Sequence, residues 1–277
     1  MIQTRWLGWK RIALLVGLGA GLATTACSHR TDYGGIELSA APLSRTLRGD
    51  KLIERSTAAV VTVETDIGRG MGFVIDPAGY IMTNRHVVED ADHLEGVVFP
   101  AIDPGHMYES VRIVYIDPVR DLALLHVNAK EPLPYLPLAT RNVEPVSRYL
   151  SQADPVVLLQ RDGGTKRLNP GLIVRRGNVN ELAALNPAAG PGAFVGVTNE
   201  VVQGQSGGPV LDAHGRAVGV VTWTWRDRVG GYAIPIAEAT RMLSERPQMQ
   251  TVGDHAHRAE SRVRTFLDAV AGDDADL

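Results

Sequence analysis

From Ala59 onward the chain breaks into short apolar runs separated by turn-forming residues. The first group is Val60-Val61-Thr62-Val63, Gly72-Phe73-Val74-Ile75 and, after the turn Asp76-Pro77-Ala78-Gly79, Tyr80-Ile81-Met82. Further runs at Gly96 to Phe99, Val111 to Tyr115 and Leu122 to Val127 complete a first set of six. A second set comprises Pro155 to Gln160, Gly171 to Arg175, Ala193 to Thr198, Pro209 to Leu211, Ala217 to Thr222 and Gly231 to Ile234. Short strands at close spacing with Gly, Pro and Asp between them predict an all-β chain built of barrels. Helical periodicity enters only at the flanks. Leu47 to Ala58 predicts a short helix entering the first barrel, and Ile236-Ala237-Glu238-Ala239-Thr240-Arg241-Met242-Leu243 predicts one that closes the domain. Beyond it, Val263, Phe266, Leu267 and Val270 fall at i, i+3, i+4 and i+7, the pattern of an amphipathic helix that docks on the barrel or contacts a partner.

The other departure from strand patterning is at the start. Arg5, Lys10 and Arg11 precede the apolar run Ile12 to Ala23, which is too short and too glycine-rich for a secure membrane span and reads as an export signal over residues 1 to 26. It ends at Ala26-Cys27-Ser28, where Cys27 is the single cysteine of the chain and so has no internal disulfide partner. Residues 27 to 50 are mixed and polar, and are expected to act as a tether ahead of a domain spanning 51 to 245 and a tail from 246 to 277.

A chain of 277 residues with 44% hydrophobic content can bury a large core. The formal charge of −3 gives no electrostatic footprint for nucleic acid, and the short acidic end at Asp273-Asp274-Ala275-Asp276 is the one notable charge run. Removal of residues 1 to 26 takes away three basic side chains and no acid, leaving 25 basic against 31 acidic and a formal −6.

Chemistry concentrates at Gly204-Gln205-Ser206-Gly207-Gly208-Pro209, a tight glycine-rich turn that presents a hydroxyl. A serine alone is a poor nucleophile and needs a base, a group to orient that base, and donors for the oxyanion. The N–H groups of Gly204 and Ser206 can converge as such donors. His86, in Tyr80-Ile81-Met82-Thr83-Asn84-Arg85-His86, and Asp121, in Asp117-Pro118-Val119-Arg120-Asp121-Leu122, each stand where an apolar strand meets a polar break. The order His86, Asp121, Ser206 is the chymotrypsin order of histidine, aspartate and serine. Two other readings compete. One is a glycine-rich hairpin with a surface serine. The other is a G-x-S-x-G nucleophile elbow, but that fold needs its Asp and His after the serine and a helix beginning at it, whereas strand, turn and strand follow here.

Together, Thr-Asn-Arg-His-Val-Val, Arg-Asp-Leu-Ala-Leu-Leu and Gly-Gln-Ser-Gly-Gly-Pro-Val, with Gly68 to Ile75 ahead of the histidine strand, resemble the trypsin-like serine proteases of the bacterial HtrA/Deg type over residues 51 to 245. The resemblance implies two six-stranded barrels of chymotrypsin type with a C-terminal helix, and a site in the cleft between them. It also implies a serine endopeptidase with Ser206 as nucleophile, His86 as base, Asp121 as its orienting partner and an oxyanion hole at Gly204 and Ser206, acting on protein or peptide substrates. Gln205 stands where animal trypsins carry an aspartate that pairs with a newly released amino terminus, so the loop here is held otherwise or stays disordered until substrate binds. The tail is too short for the PDZ domain that many HtrA relatives carry. Cys27 resembles the lipidated cysteine of bacterial lipoproteins, with Thr24 where leucine is usual. This implies a lipid-anchored, periplasm-facing envelope protein, Ser28 favouring the outer membrane; an ordinary signal peptide and an uncleaved anchor are the alternatives.

The same resemblance puts Glu200, six residues before Ser206, at the floor of the S1 pocket, where a carboxylate favours Arg or Lys; a solvated loop glutamate is the bland alternative. Thr222, Trp223 and Thr224 match the strand that pairs with substrate backbone, and Trp225 either lines the pocket or covers the barrel. His93, His106, His126 and His214 lack metal-ligand spacing, and His255 with His257 form a lone pair, so neither a metal nor any other cofactor is assigned. The second function class open to the sequence is a catalytically silent protein of the same fold that binds protein segments, and the sequence assigns no oligomeric state.

Overall fold

The structure, a computed structural model, describes residues 30–33, 36–39, 49–117, 119–139, 155–162, 165–177, 194–224 and 229–245. The expected export signal, Cys27, Trp225 and the amphipathic tail helix lie outside the described residues.

The first half is a seven-stranded antiparallel sheet. Its strands are β3 (Val60–Thr65), β4 (Gly68–Asp76), β5 (Tyr80–Thr83), β6 (Leu94–Phe99), β7 (Asp103–Tyr108), β8 (Val111–Ile116) and β9 (Ala123–Val127). They lie in the order β7-β6-β3-β4-β5-β9-β8. All six runs expected from the sequence are strands, but the sheet gains β7 and has two edges rather than closing as a six-stranded barrel. The added strand pairs with β6, Val97 opposite Tyr108 and Val98 opposite Met107.

The second half is a closed barrel of β10 (Pro155–Asp162), β11 (Thr165–Gly177), β12 (Phe194–Val197), β15 (Gly231–Pro235), β14 (Ala217–Thr224) and β13 (Pro209–Leu211), with β13 returning to β10. Helix α1 (Gly49–Ala58) precedes the first sheet, and helix α2 (Ile236–Glu245) follows directly on β15. Part of the expected tether is ordered against the domain. Arg30–Asp32 (β1) and Glu37–Ser39 (β2) pair as a two-stranded ladder that buries Ile36 and Leu38.

The burial pattern explains why the central strands read as continuous apolar runs. Val61, Val63, Val74, Ile81, Ala123, Leu125 and Val127 fill the core of the first sheet. Their alternate neighbours Val60, Phe73, Ile75, Tyr80, Met82, Leu122 and Leu124 join one cluster with Val195, Val197, Val210, Val220 and Ile234 of the barrel. A strand of period two shows one apolar face to each core, so both faces must be apolar. Burying each such large side chain contributes about 1.5–3 kcal/mol, and the shared cluster joins the two halves.

Candidate functional site

β5 and β9 are neighbours, with Thr83 opposite Ala123. The chain leaving β5 and the chain entering β9 therefore meet at one end of the sheet. Just past β5, Asn84 is extended and Arg85–Val87 form a single 3-10 turn, which carries His86. Just before β9, the loop at 117 to 122 is folded around Asp117. Its Oδ1 accepts from the N–H groups of Val119 and Arg120, both at 2.8 Å, and its own N–H donates to the Leu122 carbonyl at 3.0 Å. Asn84 fastens the two segments, its Nδ2 donating to the Asp121 carbonyl at 2.8 Å.

This arrangement brings His86 and Asp121 into contact. His86 Nδ1 is 2.7 Å from Asp121 Oδ2, and the His86 backbone N–H donates to Oδ1 at 3.1 Å. Asp121 is 2% exposed, so its oxygens must be satisfied by protein donors. A third donor comes from the barrel: the Thr222 hydroxyl donates to Oδ2 at 2.6 Å. A carboxylate only accepts, so Nδ1 carries the proton and Nε2 is left with a lone pair.

Ser206 enters from the loop before β13. Two hydrogen bonds prolong the β13–β14 ladder into this loop, from Gly207 N–H to the Val221 carbonyl and from Val221 N–H to the Gly208 carbonyl, both at 2.8 Å. The Ser206 hydroxyl then lies beside Thr222 and donates to its carbonyl at 3.0 Å. Thr222 thus joins the three: its hydroxyl holds Asp121, which holds His86, while its carbonyl holds Ser206.

The first sheet clamps the same loop from the other side. The Ser206 carbonyl accepts from Met71 N–H at 2.8 Å, and the Thr83 hydroxyl donates to the Met71 carbonyl at 2.6 Å. Gly207, at φ +87°, is packed so closely here that a Cβ would overlap the Met71 carbonyl oxygen and the Thr83 hydroxyl. Gly204 also has φ +87°, but open space around its Cα. Gln205 is buried, and its Oε1 accepts from Val202 N–H at 2.9 Å, a bond within the loop itself. Among the described residues the N–H groups of Gly204 and Ser206 have no acceptor.

The remaining expected residues divide. Trp223 stacks on His86, ring centroids 4.7 Å apart at 24°, covering one face of the imidazole. Thr224 is exposed at the end of β14. Glu200 is exposed, and beside it Val201 is buried and packs against Gly231 at the start of β15. Among the described residues no group of three or more His, Cys, Asp or Glu is arranged to hold a metal ion.

Sequence reasoning missed one constellation beside the site. Arg120, next to Asp121, bonds Asp117 through Nη1 at 2.7 Å, Glu238 through Nε at 3.0 Å and Glu245 through Nη2 at 2.7 Å. Burial disfavours the guanidinium's charge, but the hydrogen bonds it donates to Asp117, Glu245 and Glu238 outweigh it and raise its pKa.

The family model of the trypsin-like peptidase domain matches residues 70–220. The serine endoprotease DegS of Escherichia coli K12 is 30% identical over 184 residues, covering 64% of this chain and 47% of DegS. A probable periplasmic DegP-like serine endoprotease of Chlamydia trachomatis is 30% identical over 187 residues, covering 66% of this chain and 34% of that protein. The chain thus spans about half or less of the length of these relatives. Among solved structures, a serine-to-alanine mutant of Rv3671c from Mycobacterium tuberculosis, in its inactive form, aligns with a TM-score of 0.59 at 27% identity, covering 78% of this chain and all of that one. The serine endoprotease of Yersinia pestis aligns at 0.55 with 25% identity, covering 73% of this chain and 67% of that one. With a family model matching more than half of its length, the chain belongs to the trypsin-like peptidase domain family, in an all-β fold followed by a helix, and DegS and DegP-like proteases are among its relatives.

Proposed function

We propose that this chain is a serine endopeptidase that hydrolyses peptide bonds through an acyl-enzyme. The observation that carries the reading is the buried carboxylate of Asp121, held on His86 Nδ1 at 2.7 Å and linked through Thr222 to the hydroxyl of Ser206. Rotation about the Ser206 side-chain torsion takes its proton from the Thr222 carbonyl to His86 Nε2. His86 then accepts that proton as Ser206 Oγ attacks the scissile carbonyl, and Asp121 stabilises the imidazolium that forms. The N–H groups of Gly204 and Ser206 receive the oxyanion, each donor contributing about 3 kcal/mol to the barrier. The proton passes on to the leaving amine, and water releases the acyl group by the reverse sequence.

The substrate reading is a polypeptide in extended form, paired along Thr222, Trp223 and Thr224. The exposure of Glu200 and the burial of Val201 favour a small apolar side chain at the cleaved position over Arg or Lys. The basic-apolar leader ending at Cys27, together with the periplasmic naming of the Chlamydia relative, supports a periplasm-facing protein anchored by lipid at Cys27, the serine after it favouring the outer membrane.

The contact between the Ser206 hydroxyl and the Thr222 carbonyl favours a second reading, a silent fold that binds protein segments. A fluorophosphonate probe separates the two. Labelling of the mature protein at Ser206, with casein cleavage lost in Ser206→Ala and His86→Ala, is the expected result. An unlabelled Ser206 with intact casein overturns the active-peptidase reading for this form of the protein and leaves a binder or an enzyme whose loop awaits an activator.

A further inference from the structure

We propose that Arg120 is a positioning residue for this reaction: its guanidinium locks the loop that carries Asp121 onto helix α2, so that the packing of α2 on the barrel sets the angle at which Asp121 meets His86. The proposal rests on the peptidase reading above.

The geometry behind it is a three-way tie. Asp117, 2% exposed, is gripped from the front by the backbone N–H groups of Val119 and Arg120 and from the side by Arg120 Nη1. The other two arms of the same guanidinium leave the loop and reach α2, to Glu238 and Glu245. Glu238 is 7% exposed and is shared with Arg241, whose Nη1 lies 3.1 Å from its Oε1. The helix is itself fixed, with Ile236, Ala239, Met242 and Leu243 buried against the barrel. Asp121 is flanked by two anchored residues: Arg120 on one side and, on the other, Leu122, which is fully buried and donates through its N–H to the Arg120 carbonyl at 2.7 Å. The barrel therefore reaches the carboxylate by two routes. Thr222 touches it directly, and α2 holds the backbone from which it projects. A guanidinium suits this task because its planar fork meets three carboxylates in fixed directions, which a lysine cannot do.

The test compares Arg120→Lys and Glu245→Gln with Arg216→Met, a control that breaks the distant Arg216–Asp212 pair in the β13–β14 turn. Three quantities are read: the kcat and KM for a casein-derived peptide, the melting temperature, and the NMR resonance of the His86 Nδ1 proton in the Asp121 hydrogen bond. Misplacement of reacting groups by ~1 Å costs up to about 100-fold in rate. The expected result is a kcat lowered about tenfold in Arg120→Lys and less in Glu245→Gln, with KM little changed and the His86 proton displaced in the same order. Arg216→Met lowers the melting temperature and moves neither. The proposal is overturned if Arg120→Lys loses stability while kcat and the His86 proton stay as in the wild type. Glu245 lies at the exposed end of α2, so its variant keeps the test available if Arg120→Lys does not fold. The NMR signal needs no turnover. A wild type that fluorophosphonate does not label would refute the peptidase reading, while a displaced proton would still report the link from Arg120 to His86.

Discussion

Thr222 offers the sharpest test of the site, because one hydroxyl there can be removed with almost no change of shape. Thr222→Val replaces the Oγ1 that lies 2.6 Å from Asp121 Oδ2 with a methyl group, in a strand where Val220 and Val221 already fit. Both partners are 2% exposed, so no water takes over the lost bond. A hydrogen bond to a charged group contributes about 1.5–3 kcal/mol, and about 2 kcal/mol is a fair central value. For a domain of this size that lowers the melting temperature by roughly 4–8 °C. If about 1.4 kcal/mol of it is expressed where the imidazolium forms, kcat/KM falls about tenfold. Thr222→Ser keeps the hydroxyl and should retain most of the activity. The Ser206 contact uses the Thr222 carbonyl, which neither substitution removes. The assay is kcat/KM on a casein-derived peptide with thermal unfolding alongside. A Thr222→Val protein as active and as stable as the wild type would refute the reasoning.

The two glycines of the serine loop should part company on substitution. Gly204→Ala has open space and meets only the cost of positive φ, about 1–2 kcal/mol, whereas Gly207→Ala also collides with Met71 and Thr83 and should be far less stable; equal denaturant midpoints would contradict this. Desolvation, with help from the nearby Arg112 charge, holds the pKa of His126 below its ordinary value. The unfolded chain then takes that proton first as pH falls, so stability declines as pH drops through the ordinary imidazole range, about 6.5, and levels off once the folded group also protonates. His126→Phe should flatten that decline in melting curves recorded across the range. For the anchor, Cys27→Ser should move the protein from the membrane fraction to the soluble periplasmic fraction, and an unchanged distribution would count against lipidation at Cys27.

Much of the fold was legible because its strands carry their own apolar signal. Phe73 to Ile75, Tyr80 to Met82 and Leu122 to Val127 announce themselves since both of their faces are buried. β7 gave no such signal. Asp103-Pro104-Gly105-His106 reads as a turn, its first four residues are exposed, and only pairing with β6 makes it a strand. The β1–β2 ladder was hidden for a related reason, since two buried residues, Ile36 and Leu38, do not stand out in a polar segment. At the site, His86, Asp121 and Ser206 were readable from their local motifs, but their linkage through Thr222 joins residues 101 positions apart. Its one trace in the sequence is a hydroxyl at the end of the apolar run Ala217 to Val221, where a buried polar group needs a partner. The exposure of Glu200 was beyond reach, because counting back from Ser206 fixes a position along the chain and not the side of the loop it faces. Arg120 gave no sign of its ties in the sequence, because two of its three partners lie on a helix more than a hundred residues away.

The clamp on the serine loop bears on when such a protein becomes active after it is made. The Ser206 carbonyl and the packing of Gly207 depend on Met71 and Thr83 from the first sheet, while the loop's ladder depends on Val221 in the barrel. A chain with only one half folded therefore has no shaped nucleophile loop, and Asp121 lacks the hydroxyl that the other half brings. Under the peptidase reading, proteolytic competence then requires both halves to be docked, and half-folded chains are spared from cutting one another.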